Sequence, residues 1–209
     1  MATFLDVQNN IADYLNRSDL TNQIKTAINR AIAAYSTHDF YFTQTGPTTF
    51  NTIASQEAYA VADGIPDYIR EIAYFRLTSG GSYSQLNPRT LVYIQQNNPN
   101  SNPGRPINYA LWGKKIYLNP IPDAIYVMTL WYRRTYVEMT VGSDTNDFTT
   151  NIEGLNLIEA KALWWLNTYI IKDKDGAAEN LEMESNALSV LSTIGNNFQA
   201  TERLHPTDF

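Results

Sequence analysis

The side chains that could do chemistry in this chain are few and far apart. There are only two histidines, His38 and His205, and no cysteine, so the closely spaced ligands of a transition-metal site are missing. A single histidine at a predicted helix end, such as His38, is more often a cap or a surface residue than a catalytic base. No GxGxxG, GxxxxGKS/T or GxSxG motif occurs, which argues against a nucleotide-binding loop and a serine hydrolase. We expect no cofactor and no metal.

Two pairs of carboxylates are spaced two positions apart, Asp173 with Asp175 and Glu182 with Glu184. Glycosidases need two carboxylates that face each other across the scissile bond. Residues two apart on a helix point in different directions, so these pairs indicate a solvated helix face instead. The sequence therefore predicts that the protein is not an enzyme, and a cell-wall hydrolase is the least favoured alternative.

The segment from Lys114-Lys115 to Arg133-Arg134 combines basic residues with aromatic ones, as nucleic-acid-binding surfaces also do. The whole chain is acidic, however, with a formal charge of −6 and a pI of about 4.9. Cations at the ends of strands are commonly just solvated. We therefore predict no sequence-specific contact with DNA.

The charge is unevenly distributed along the chain. Residues 1–67 carry three basic and seven acidic side chains, residues 68–134 carry eight and two, and residues 135–209 carry four and twelve. One interpretation is local clustering on a solvated surface. The other is that identical copies pair head to tail, with the basic segment of one against the acidic segments of the next. Such a heterologous contact closes into a ring when the rotation permits.

Two helices are predicted in the first 39 residues. Apolar residues recur every three or four positions over 4–15 and again over 20–35, which is the period of an amphipathic helix. Thr3 is the predicted N-cap of the first helix, and Ser18 or Asp19 that of the second. The link between them is short, so we expect an αα-hairpin.

The period changes to two after the second helix, which predicts an antiparallel β-domain. The predicted strands are 40–43, 48–52, 57–61, 69–77, 83–86, 107–112, 115–118 and 124–133. Gly80-Gly81 predicts a hairpin turn, and Pro88 lies in the first turn of a predicted short helix at 87–96. Both faces of the strand at 124–133 are apolar or aromatic, so we expect it to be central and covered on both sides.

Two further helices are predicted at 155–171 and 177–194. Neighbouring residues on a helix lie about 100° apart, so Trp164 and Trp165 cannot share a face. We predict that one of them enters the core and that the other contacts a partner or the β-domain. The residues from Asn196 onward show little periodicity and are predicted to form an extended tail.

Composition limits the class of protein further. Hydrophobic residues make up 44% of the chain, enough for a core, whereas charged residues make up only 17%. Neutral polar groups cost less to bury than charges, so this surface suits extensive contact with other proteins. No apolar run approaches the ~20 residues that span a bilayer, and no signal peptide is recognisable. We expect a protein that is synthesised and kept in the cytoplasm and binds no membrane.

The segment 104–134 carries a family resemblance. It reads Gly-x-Pro-x-x-Tyr-Ala-x-Trp-Gly, then Ile-Tyr-Leu-Asn-Pro-x-Pro-Asp-Ala-x-Tyr, then Leu-x-Tyr. This order resembles the β-domain of head-to-tail adaptor (connector) proteins of tailed bacteriophages, chiefly short-tailed ones. Residues 14–21, 40–43 and 155–171 resemble other parts of the same family, so the likeness spans most of the chain. At 63–67 the chain departs from it, with Asp-Gly-Ile-Pro-Asp in place of Leu-Pro-Asp-Asp.

The periodicities and the resemblance together predict an α+β fold. In it the N- and C-terminal helices form one helical bundle, and an antiparallel β-domain is inserted between them. We expect a helical hairpin at 1–39, the β-domain at 40–136, helices that complete the bundle at 137–195 and an extended tail at 196–209.

The function that the resemblance implies is structural. Family members join the phage head to the tail as a homo-oligomeric ring, dodecameric in the family, between the portal protein and a downstream tail or nozzle protein. DNA passes through the channel of the ring at ejection, and the protein is part of the virion at the head–tail junction. The main alternative is a carbohydrate-binding β-module of a tail or surface protein, because 14 tyrosines and four tryptophans offer faces on which sugars stack.

The candidate partner-binding residues are Phe198, Arg203 and Phe209 in the tail and Trp164 on a helix. The tail lacks an apolar stripe of its own, so we expect it to be mobile in the free chain. Its phenylalanines then serve as anchors when it orders against the portal or a neighbouring subunit. The other interpretation is an inert chain end.

Overall fold

The computed structural model describes residues 1–100 and 102–203 of the chain. Its helices are α1 (Phe4–Leu15), α2 (Thr21–Ala34), α3 (Leu91–Asn97), α4 (Asp147–Thr150), α5 (Ile152–Leu166) and α6 (Lys174–Arg203). Its strands are β1 (Gln44–Asn51), β2 (Ala58–Tyr59), β3 (Ile69–Ser79), β4 (Ser82–Gln85), β5 (Asn87–Pro88), β6 (Asn108–Trp112), β7 (Lys115–Asn119) and β8 (Val127–Arg134). The predicted α+β fold, with terminal helices flanking a central β region, is confirmed.

The chain divides into two compact units. The helical unit comprises Met1–Thr43 together with the described residues from Tyr136 onward, and the β unit comprises Gln44–Thr135. The chain thus leaves the helical unit once, after α2, and returns to it before α4.

The predicted N-cap of α1 is confirmed. The Thr3 hydroxyl accepts a hydrogen bond from the Asp6 backbone at 3.2 Å, and the Asp6 carboxylate accepts one from the Thr3 backbone at 2.8 Å. This reciprocal capping box satisfies two backbone donors that the first helical turn would otherwise leave free. The bond from the Thr3 backbone, together with one that the Thr3 hydroxyl donates to the same carboxylate at 2.8 Å, lowers the pKa of Asp6.

The predicted cap of α2 by Ser18 or Asp19 is wrong. The residue before α2 is Leu20, which makes no side-chain cap. Both carboxylate oxygens of Asp19 instead accept hydrogen bonds from the Arg17 guanidinium at 2.7 Å, and this pairing lowers the pKa of Asp19 to about 2. The bidentate pair engages both carboxylate oxygens of Asp19, so the side chain that would have capped the helix is held by the neighbouring arginine.

Helix α5 is the centre of the helical unit, and its buried residues come from nearly every side of the helix. Asn151 caps it by accepting hydrogen bonds from the backbones of Glu153 and Gly154, both at 3.1 Å. A π-helical turn at Asn167–Ile171 continues it. The core around it contains Phe4, Val7, Ile11, Leu20, Ile24, Ile28, Tyr35, Phe40, Phe148, Ile158, Leu166 and Leu191.

The predicted strand at 40–43 is also wrong, because Tyr41–Thr43 form a 3-10 turn. The rings of Phe40 and Phe42 stack with centroids 5.3 Å apart, and both rings contact Phe148 edge-on. Aromatic residues favour strands only where a sheet surface is available to them. Here they pack into the core of the helical unit instead.

Helix α6 is longer than the sequence suggested. It begins at Lys174 and continues to Arg203, where the sequence analysis predicted an extended tail from Asn196. The residues from 196 to 203 contain no proline, and Pro206 is the first strong helix breaker that follows. Weak periodicity therefore did not prevent helix formation, because adding a residue to an existing helix costs less than nucleating a new one.

The β unit is built from two four-stranded sheets, β1-β8-β3-β4 and β2-β7-β6-β5. Their pairings are antiparallel except for the short parallel β5–β6 pair. The core between them contains Phe50, Tyr59, Ile65, Phe75, Leu77, Leu86, Tyr109, Ile116, Leu118, Met128, Leu130 and Tyr132. Gly80 and Gly81 form the predicted hairpin turn, with φ values of 56° and 79° that favour glycine.

Strand β8 lies between β1 and β3, so its predicted central position is confirmed. The prediction that β8 is covered on both faces is not confirmed, because Val127 on the outward face is 43% exposed. The predicted helix at 87–96 starts later than expected. Asn87–Pro88 pair with β6, and α3 follows Thr90, whose hydroxyl accepts a hydrogen bond from the Tyr93 backbone.

Candidate functional site

The structure separates the candidate partner-binding residues. Trp164 lies near the end of α5, close in sequence to the start of α6, whereas Phe198 and Arg203 lie in the last turns of α6. At a rise of about 1.5 Å per residue, Phe198 is roughly 36 Å along α6 from its first residue. Phe209 lies outside the described residues.

Both tryptophans of the pair on α5 are half-buried, each under a cation. The Arg30 guanidinium carbon lies 4.8 Å from the centre of the Trp165 ring, and Trp165 packs against the core of the helical unit. The Lys161 ammonium lies 4.2 Å from the centre of the Trp164 ring. Together with Tyr169 these residues line a surface hollow of about 570 Å³ between α2 and α5.

A buried charged network holds Lys161 in place. Glu184 of α6 is only 7% exposed. It accepts hydrogen bonds from Lys161 and from the hydroxyl of Tyr35 at the end of α2. Burial and the neighbouring Glu184 raise the pKa of Tyr35, so its hydroxyl stays a donor. The network joins α2, α5 and α6 and fixes the ammonium over the Trp164 ring.

A second hollow, of about 500 Å³, lies between α1, α5 and α6. Its lining is mainly apolar, with Tyr14, Leu163, Met183 and Val190, and includes the carboxylate of Glu159. Asn10 donates a hydrogen bond to that carboxylate at 3.0 Å, while burial raises the pKa of Glu159. The only sign of this hollow in the sequence is a carboxylate, Glu159, between the apolar residues Ile158 and Ala160 of α5.

The distal part of α6, which we define as residues 192–203, follows the buried part of the helix. The helix has 30 residues, twice as many as α5. Among the α6 residues whose side chains are described, Leu191 is the last that is buried. There is no charged residue between Glu184 and Glu202, which leaves a long stretch of serine, asparagine, threonine and apolar side chains. Such groups cost little to transfer into a protein interface.

The outward face of the first sheet carries a group of stacked side chains, which we call the Arg–aromatic platform: Tyr74, Arg76, Tyr83 and Trp131. The Arg76 guanidinium carbon lies 4.3 Å from the centre of the Tyr83 ring and 5.0 Å from that of Trp131. The Tyr74 and Trp131 rings lie 5.2 Å apart. The platform was not predicted from the sequence, although the alternation of side chains along a strand places Tyr74 and Arg76 on one face of β3.

Two of the basic residues between Lys114 and Arg134 are paired with carboxylates. Lys114 pairs with Asp67 at 2.8 Å, and Arg133 pairs with Glu71 at 3.0 Å. These two cations, at least, are partly neutralised by neighbouring carboxylates. The prediction that no sequence-specific DNA contact occurs here stays a prediction.

In residues 1–100 and 102–203, no group of three or more His, Cys, Asp or Glu side chains is placed to hold a metal ion. Within the same ranges, no helix is long and apolar enough to cross a membrane.

Comparison with known proteins gives one finding. No curated protein matches the chain significantly. The model of the SU10 adaptor protein family matches residues 2–204, nearly the whole chain. That range includes both the terminal helices and the inserted β unit, so the match covers the complete arrangement described above. The chain therefore belongs to the SU10 adaptor protein family, in agreement with the resemblance to phage head-to-tail adaptors in its 104–134 segment.

Proposed function

We propose that the protein is the subunit of a ring that joins the portal to the tail in a phage virion and leaves a channel for DNA. Family membership supports a structural role at the head–tail junction. The dodecameric number and the downstream tail or nozzle partner are carried over from the family resemblance. The mechanism is binding, and no step of it requires turnover.

The observation that carries portal binding is the distal part of α6. An isolated helical segment is marginally stable in water, and most helices in proteins depend on packing for their stability. Among the described side chains of α6, Leu191 is the last that is buried, and the helix carries no charge between Glu184 and Glu202. A partner that covers residues 192–201 would gain apolar contact there without burying an unpaired charge.

Phe198, Arg203 and Phe209 are the proposed anchors on the portal. Two phenylalanines and an arginine within 12 residues are the residue types that contribute most to protein interfaces. Trp164 and its hollow are the proposed second contact, because a half-buried tryptophan under a fixed lysine offers a rigid apolar surface.

The distribution of charge between the two units supports a ring of identical copies. The helical unit, with the rest of the C-terminal segment, has seven basic and sixteen acidic side chains, whereas the β unit has eight and five. Because the helical unit is acidic and the β unit is basic, the β unit of one copy can contact the helical unit of the next, which is a heterologous contact. Complementary charge speeds encounter and fixes orientation more than it adds affinity.

The carbohydrate-binding alternative receives less support. Sugars stack on open aromatic faces, but in the Arg–aromatic platform the guanidinium of Arg76 lies over the rings of Tyr83 and Trp131. A sugar would have to displace it.

Mass photometry with the portal protein of the same virion tests the proposal. We expect the full chain to add a complete ring to the portal. We expect a variant lacking 198–209 to remain folded, with an unchanged melting temperature of the β unit, and to lose portal binding. Phe198→Ala combined with Arg203→Ala tests the anchors, and Ser192→Ala is the matched control on the same helix. Normal docking of the truncated chain would place the attachment elsewhere.

A further inference from the structure

Arg76 is an arginine that is held in position but has no acidic partner. It makes no ion pair with any residue that the structure describes, and its Nε atom is buried without a hydrogen-bond acceptor. The rings of Tyr83 and Trp131 flank its guanidinium group. Stacking on aromatic rings fixes the plane of a guanidinium while leaving its other N–H groups able to bind a carboxylate.

The rest of the platform is rigid as well. Gly46 lies so close to Trp131 that a Cβ atom at this position would be 2.9 Å from its Cδ1, so only glycine leaves room for the ring. Tyr74 contacts the other part of Trp131. Across the strands β4, β3 and β8, which are spaced about 4.8 Å apart, the platform extends for roughly 10 Å.

The helical unit carries a matching surface, which we call the acidic stripe: Asp175, Glu179 and Glu182 of α6. These residues are spaced by four and three positions, so their carboxylates lie along one face of the helix. All three are exposed, and none makes an ion pair with another described residue. Seven residues of helix span about 10 Å, the same length as the platform.

We infer that the Arg–aromatic platform of one copy binds the acidic stripe of α6 on a neighbouring copy. The inference rests on the proposed ring and names the two surfaces that form its subunit contact. The guanidinium supplies the charge that the stripe lacks, and the aromatic rings exclude water around the pair. Because the two surfaces are different parts of the same chain, the contact is heterologous and repeats from copy to copy.

Cysteine pairing tests the contact directly, because the natural chain contains no cysteine. Gln85→Cys, directly opposite Arg76 in the sheet, and Ala178→Cys, between the members of the acidic stripe, are made in separate chains, mixed, assembled on the portal and oxidised. Both positions are exposed and belong to neither surface as defined, so the variants should fold and keep the contact. We expect a disulfide-linked dimer from the mixture and none from either variant alone. A mixture of Lys115→Cys with Ala178→Cys is the control, because Lys115 lies in the second sheet.

The outcomes separate this contact from the ring itself. Complete rings that give no mixed dimer would overturn the contact and leave the proposed function intact. Failure of any ring to form, by mass photometry of the natural chain with the portal, would overturn both. Dimers from Gln85→Cys alone would show a symmetric contact and also overturn the inference. A change in tryptophan fluorescence on adding a polysaccharide or duplex DNA, seen in the natural chain and lost in Trp131→Phe, without a mixed dimer, would assign the platform to that ligand instead.

Discussion

The ammonium of Lys161 lies 3.0 Å from one carboxylate oxygen of Glu184 and 3.2 Å from the other. The same ammonium covers the ring of Trp164, so one buried ion pair both closes the helical unit and shapes a surface hollow. Structural stability and a candidate contact surface therefore depend on the same side chain.

Lys161→Met should destabilise the helical unit, because it leaves the buried carboxylate of Glu184 without its cation. Removing one partner of a buried pair costs about 3–5 kcal/mol, and the partial exposure of Lys161 places the expected loss near the lower end. Urea unfolding measures it. Lys25→Met, at an exposed position of α2, should change the free energy of unfolding by less than about 0.5 kcal/mol. Equal losses for the two variants would contradict the role of the network.

Glu159→Gln should stabilise the protein at neutral pH. Burial raises the pKa of Glu159 above its ordinary value of 4.5, so the folded state favours the protonated acid. The stability that protonated Glu159 gives the folded state is therefore fully present below the pKa of the unfolded chain. It is lost as the pH rises through the higher pKa of the folded state. Glutamine keeps the hydrogen bond from Asn10 without the charge. We expect the melting temperature of Glu159→Gln to exceed that of the natural chain by an amount that grows as the pH is raised from about 4 to about 8. A gap independent of pH would refute the explanation.

Thr3→Ala should cost about 1 kcal/mol, because it removes half of the capping box of α1. Ser18→Ala is the matched control, since the structure gives Ser18 no cap to lose. Chemical denaturation compares the two. If Ser18→Ala were the more damaging change, the start of α2 would have to be reassigned.

Two helical glycines should respond oppositely to alanine. At Gly154 a Cβ atom would lie 3.0 Å from backbone atoms of Phe148, so Gly154→Ala should destabilise α5 by crowding. At Gly195 nothing lies within 4 Å, so Gly195→Ala should stabilise α6 by about 1 kcal/mol through helix propensity. Thermal melting of both variants gives the signs, and the same sign at both sites would count against this packing around α5.

Raising the salt concentration from about 50 mM to about 500 mM should slow ring assembly on the portal, because the steering charges are exposed and screened. Light scattering after rapid mixing follows the rate. Arg76→Glu reverses the charge of the platform and should slow assembly at low salt. Lys115→Glu changes the net charge by the same amount on the other sheet, so it is the control and should slow assembly less. A rate that is insensitive to salt would remove charge complementarity from the mechanism.

The sequence predicted those features that depend on nearby residues. Alternation located β8, and the residue types of the first turn located the cap of α1. The sequence-based prediction failed where a local pattern was overridden by another interaction. Asp19 pairs with Arg17 and does not cap α2, and Phe40 and Phe42 pack against Phe148 in the helical unit and do not form a strand. The platform could not be predicted, because Tyr83 and Trp131 are far apart in sequence and meet only when β4, β3 and β8 pair.

The β unit enters the chain as a single insertion whose first and last strands are neighbours: Gln44 of β1 pairs with Arg133 of β8. A segment whose two ends emerge side by side can be exchanged without rerouting the chain that carries it. Evolution, or an engineer, could therefore replace Gln44–Thr135 with a different β module and leave the helical part unchanged. A chimera that keeps the helices of this chain and takes the β module of a relative would be the simplest hybrid connector to build.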